Sequence, residues 1–177
     1  VLHFAENLAI QNQIAIAKEF GMTFIASNVS SRFTIDSIRQ AKSEGIKIQA
    51  SVPILNCVAT VDKQSEYDTH WKTWPVLREE TDRKAILEAL RNGTIDFCSS
   101  NHMPVVVEEK MKEFALAEAG VITLQYTFSL LLQAFGGSDA LDDVLDILSI
   151  RPRKAFPVNQ VELIPGEYAD YVIADPN

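Results

Sequence analysis

Gly93-Thr94-Ile95-Asp96-Phe97-Cys98-Ser99-Ser100-Asn101-His102-Met103-Pro104 is the stretch on which the fold turns. A helix-like run ends at Gly93, a short apolar segment follows, and a polar cluster arrives just before a proline. In a parallel α/β sheet each strand buries its middle and presents side chains at its carboxyl end, so residues 99–102 are where binding or chemistry is expected.

On either side of it the chain alternates helix-like and strand-like segments. Apolar residues Leu8, Ile10, Ile14 and Ala17 predict a helix from Phe4 to Phe20 that stops at Gly21, and Met22 to Ala26 reads as a buried strand. Thr34 is placed to cap a second helix with Ile35, Ile38 and Ala41 on one face and Gly45 at its end. Residues 46–52 alternate as a strand should, and 61–78 is polar, aromatic and aperiodic, a long excursion of the kind that often serves as a functional lid. A third helix spans Thr81 to Asn92, with Ile86, Leu87 and Leu90 inward. Beyond the central stretch, Glu108 to Ala119 reads as a helical lid, Leu124 to Phe135 as an apolar helix, and Ser138 as the cap of a last helix with Leu141, Val144, Leu145 and Leu148 at helical spacing.

With 177 residues, 47% hydrophobic and 23% charged, a single domain with one sizeable core is expected. A net charge of −8 and 16 scattered Lys and Arg supply no basic footprint for nucleic acid. No apolar run approaches the roughly 18 residues of a membrane span, so no membrane partner is expected and the cytoplasm is the expected compartment. Cys57 and Cys98 lie in apolar surroundings without CxxC spacing and read as buried free thiols.

The central stretch, as Thr94-Ile95-Asp96-x-x-x-Ser100-Asn101-His102-x-Pro104 followed by Glu108-Glu109-Lys110, resembles the last barrel strand of dihydroorotases, which carries Asp-His-x-Pro-His. The resemblance runs in register along nearly the whole chain and ends on Pro165-Gly166-x-x-Ala169-Asp170-Tyr171-Val172-x-x-Asp175-Pro176, similar to the amidohydrolase strand that returns to a small β-sandwich. It implies an α/β fold: the later strands and helices of a TIM-type (β/α)8 amidohydrolase barrel over residues 1–160, and over 161–177 a terminal strand that would join the accessory sandwich. A whole barrel typically takes about 250 residues, so the second half of one is expected.

The family is zinc-dependent and hydrolyses a cyclic amide. Where its motifs carry functional groups, this chain departs: Leu55 stands at a zinc-binding His position, Asn101 at the catalytic Asp, Trp74 at an Asn that touches substrate, and Val105 at the second His. Leucine cannot bind a metal, and a neutral amide neither compensates a dication nor accepts a proton. The residues thus imply no intact catalytic group, no metal ligands and no cofactor in this chain, with Asn101, His102, Trp74 and Val105 as candidate ligand-binding residues. Ser99 and Ser100 could join Asn101 in binding a small polar ligand. His102 is either a residual ligand-binding group or a structural hydrogen-bonding one, and His3 and His70 are expected at the surface.

Three functions are compatible with these residues. One is a dihydroorotase-like protein of the pyrimidine-biosynthesis type, impaired in catalysis and retained as a structural or interaction partner. The second is an active dihydroorotase or related amidohydrolase completed by a missing N-terminal half. The third is a small-molecule binding module. A half-barrel exposes sheet edges, so a homo-oligomer, or pairing with an active pyrimidine-pathway enzyme, is expected.

Overall fold

The computed structural model describes residues 2–156, 158, 164–166 and 171–175. Helix α1 (Leu2–Phe20) leads into strand β1 (Phe24–Ala26), α2 (Arg32–Ser43) into β2 (Ile48–Pro53), and the short α3 (Ile54–Val58) continues directly from β2. After the excursion, α4 (Glu80–Arg91) leads into β3 (Phe97–Ser99). The strands form one parallel sheet in the order β1-β2-β3, with Ala26 opposite Ala50 and Ser99 opposite Pro53. Their carboxyl ends therefore open on one side.

The joints explain why the pattern repeats. α2 ends at Gly45, whose φ of +80° turns the chain so that the Ile46 amide donates to the Ala41 carbonyl and β2 can begin. Gly93, at φ +77°, does the same for α4, with the Ile95 amide on the Ala89 carbonyl. Ile35 and Ile38 of α2, Ile86 and Leu90 of α4, and Val52 and Ile54 around the end of β2 are buried together in one core. Asp96, just before β3, accepts from the Ala50 amide at 2.7 Å and Lys42 Nζ at 2.8 Å, tying the amino-terminal end of the sheet, away from the strand mouths.

Some local expectations need correction. α1 starts before Phe4, and α2 begins at Arg32 behind Ser31, with Thr34 buried inside the helix rather than capping it. The lid expected from Glu108 to Ala119 is helical only at α5 (Val107–Lys110). Lysine amines take the carbonyls that a longer helix would use: Lys72 Nζ binds the carbonyls of Phe114 and Ala115, and Lys110 Nζ binds that of Glu118. The apolar helix is α6 (Thr127–Phe135), which stops at Gly136. The last helix is composite: α7 (Leu141–Leu145), a π-helical stretch Asp146–Ile150, then α8 (Arg151–Ala155). The boundary expected at 160/161 and most of the returning strand at 161–177 lie outside the described residues. Tyr171, Val172 and Ile173 are described and exposed.

Candidate functional site

Past the carboxyl ends of the three strands lies a belt of neutral polar groups. Asn28 follows β1, Ser51 lies in β2, and Ser99 and Asn101 close and follow β3. Asn28 and Asn101 both adopt left-handed backbone, φ 58° and 47°, which asparagine tolerates better than most residues. That turn aims the two amides at each other: Asn28 Nδ2 donates to Asn101 Oδ1 at 3.1 Å, and Ser99 Oγ donates to Asn28 Oδ1 at 2.6 Å. Asn101 Nδ2 donates in turn to the Trp74 carbonyl at 2.6 Å, and the Asn28 amide donates to Ser51 Oγ at 3.0 Å.

This belt uses both side-chain atoms of Asn101. An ionised aspartate, which only accepts, could not donate to the Trp74 carbonyl, so the local geometry suits the amide. Trp74 takes part through its backbone, while its side chain is exposed. Sequence reasoning singled out Asn101 but missed Asn28 as its partner; the available signal was an asparagine at the end of each of two strands.

His102 is held by structure. Its Nδ1 accepts from the amides of Thr123 and Leu124 at 3.1 and 3.2 Å, where the chain turns into α6, so the ring proton resides on Nε2. His70 is exposed as expected, with Nδ1 2.8 Å from Asp68 Oδ1. His3 is not: it is half-buried, with Nδ1 2.9 Å from Ser31 Oγ. The residue lies within α1 rather than ahead of it, and the helix sets its ring against the start of α2.

Leu55 and Val105 meet in the wall of a partly enclosed cleft of about 460 Å³, together with Trp71, Val121, Ile122 and Leu130. Asn101, His102 and Trp74 are not among its lining residues, so the four candidate ligand-binding positions divide, with Val105 alone on the cleft. Lys110 lies at the wall with its amine on the carbonyls of Thr69, Lys72 and Glu118. Burial first, and the neighbouring Lys72 charge second, hold it below the usual lysine range.

A buried ion pair braces the site from outside. Glu6 of α1 accepts from the Ser30 hydroxyl and from the Ser30 and Ser31 amides, and Arg78 Nη2 donates to it at 2.9 Å. Burial pushes the Glu6 carboxyl up, but these donors together outweigh it and hold the group below its ordinary value. Asp82, fully buried on α4, accepts from the Arg32 amide at the start of α2. Both cysteines are buried, and the Cys98 thiol is pushed up by its contact with Cys57 and by burial, which makes it a poor nucleophile.

The residues at the strand mouths do not fit a zinc ion. Leu55 is apolar, both amide atoms of Asn101 are spent within the protein, and His102 Nδ1 is occupied by two amides. Among the described residues no group of three or more His, Cys, Asp or Glu side chains could hold a metal. No helix among them is long and apolar enough to cross a membrane.

Comparison with known proteins gives relatives and structural neighbours. The chain is 31% identical over 176 residues to a dihydroorotase of Thermoanaerobacter sp. strain X514, covering 97% of this chain and 40% of that protein. It is 31% identical over 172 residues to the dihydroorotase of Bacillus subtilis strain 168, again covering 40% of the relative. In structure it matches the L-hydantoinase (dihydropyrimidinase) of Arthrobacter aurescens with a TM-score of 0.78 and 27% identity, over 85% of this chain and 35% of that one. The dihydroorotase of Saccharomyces cerevisiae shares the fold at a TM-score of 0.75 and 19% identity, with 43% of its chain covered. No family model matches.

Proposed function

The chain is dihydroorotase-like in sequence and carries part of an amidohydrolase barrel in fold, and from that premise we propose that it no longer performs the cyclic-amide hydrolysis of its relatives and serves as a structural or interaction partner. One observation carries the reading. At the strand mouths, where the resemblance places a catalytic carboxylate, the Asn28–Asn101 tie spends neutral amides on each other and on the Trp74 carbonyl. Such a belt holds strands together and neither binds a dication nor moves a proton. The metal-binding position at Leu55 has become part of an apolar wall. A partner of the same pathway, such as an active pyrimidine enzyme, would be held by surfaces outside the strand mouths rather than by the site.

The competing reading is an active amidohydrolase, favoured by length: the chain spans 40% of its curated relatives, and the rest of a barrel could supply metal ligands. A zinc titration with dihydroorotate as substrate, made on the full-length protein, separates the two. The proposal expects no zinc-dependent hydrolysis above background and metal well below one ion per chain. Turnover that tracks zinc loading would sink it.

A further inference from the structure

We propose that the cleft between Leu55, Val105 and Leu130 is a binding site for an uncharged, ring-sized apolar molecule bearing one hydrogen-bonding group. The proposal deepens the non-catalytic reading above and rests on it, because it treats the strand-end region as a place for binding without turnover.

Size and enclosure come first. About 460 Å³ falls within the range of small-molecule sites, and Leu55, Trp71, Val105, Val121 and Leu130 form a concave wall rather than a flat face. The polar groups of the wall favour an uncharged occupant. Lys110, the cationic lysine of the wall, directs its three protons to the carbonyls of Thr69, Lys72 and Glu118 at 3.0, 3.4 and 2.9 Å, so it has none left for an anion. Thr123 Oγ1 donates to the Ser100 carbonyl and its amide donates to His102, while the Gly120 amide donates to the Lys72 carbonyl. An anionic cyclic amide would lose its hydration here without gaining a free cationic side chain in exchange.

Two side-chain groups remain for a ligand. The Trp71 indole N–H forms no hydrogen bond among the described residues. His70, whose Nδ1 lies 2.8 Å from Asp68 Oδ1, has its Nε2 outside any hydrogen bond among the described residues, and in the neutral ring that nitrogen accepts. Apolar walls with one donor and one acceptor suit a neutral aromatic such as indole or 4-methylphenol, whose ring fills the cleft and whose single N–H or O–H finds His70. At the mouth, Val107 and Ile122 line the cleft while keeping more than half of their surface in solvent, so a charge can be placed at either without disturbing the core.

Saturation-transfer NMR and calorimetric titration of the full-length protein with indole test the assignment, with orotate and dihydroorotate as anionic competitors and Ile122→Asp and Val107→Asp as variants. One indole per chain is expected, undisplaced by either anion, with affinity lowered about tenfold or more in each variant while thermal unfolding is unchanged. Absence of indole binding, equal binding in both variants, or displacement by dihydroorotate would overturn the site. The two readings fail separately: zinc-dependent hydrolysis beside indole binding refutes the non-catalytic role and keeps the cleft, whereas no hydrolysis and no indole binding refutes the cleft alone.

Discussion

Replacing Asn101 by Asp sets a second acceptor against the Trp74 carbonyl, from which the amide nitrogen now stands 2.6 Å away, and removes the donor that holds that loop. Asn101→Asp is expected to lower stability by about 1–2 kcal/mol, the cost of one lost hydrogen bond in a half-exposed site, read from urea midpoints. Because Leu55 leaves an apolar side chain where the resemblance expects a zinc ligand, the restored carboxylate should bring no zinc-dependent hydrolysis. Glu6 makes a prediction of a different sign. Its folded-state pKa is held below the ordinary 4.5, so the stability it contributes is fully present above that value and is lost as pH falls through the lower folded one. Glu6→Gln leaves Arg78, nearly buried, without its charge partner and should cost about 2–4 kcal/mol near neutral pH. The gap between variant and parent should narrow in urea titrations carried from neutral pH to below about pH 4.

Gly120 decides how the segment after α5 packs. It runs beside residues 103–105, with the Met103 amide on the Val121 carbonyl at 2.9 Å, and a Cβ at position 120 would run into the Met103 carbonyl oxygen and the Val105 side chain. Gly120→Ala should therefore destabilise by about 1–3 kcal/mol, and should weaken indole binding because Val105 must leave the cleft wall. Thermal unfolding and the same calorimetric titration check both parts. Helices α1, α2, α4 and α6, the three strands and the glycine joints between them were legible in the sequence, because apolar spacing and a glycine that ends a helix act over a few residues; α3 was not foreseen. The segment 108–119 was not. Its helical composition was overridden by two lysine amines: Lys72, from outside the segment, takes the carbonyls of Phe114 and Ala115, and Lys110, within it, takes that of Glu118.

A three-stranded parallel sheet is normally covered on both faces and continued at its edges, and β1 stands at one edge here. Ile16, Phe20 and Met22, from the end of α1 and the turn into β1, each expose more than half of their surface on that side. A second copy pairing there would bury them, so sedimentation of this chain should show concentration-dependent association. Phe20→Glu should shift it toward monomer with little change in unfolding temperature, and a strictly monomeric parent would contradict the expectation.

An alternating α/β chain that resembles amidohydrolases was readable from the residues alone, as were the neutral or apolar residues at the positions where that resemblance expects metal ligands and a base. Periodicity and residue chemistry are local properties, readable along the chain. Only the tertiary structure decided that Asn101 closes on Asn28, that His102 is spent on the turn into α6, and that Leu55 and Val105 share a cleft while Trp74 stands outside it. Those partners lie tens of residues apart in sequence, and the parallel register of the strands, with the fold of the loops above them, brings them within a few ångströms.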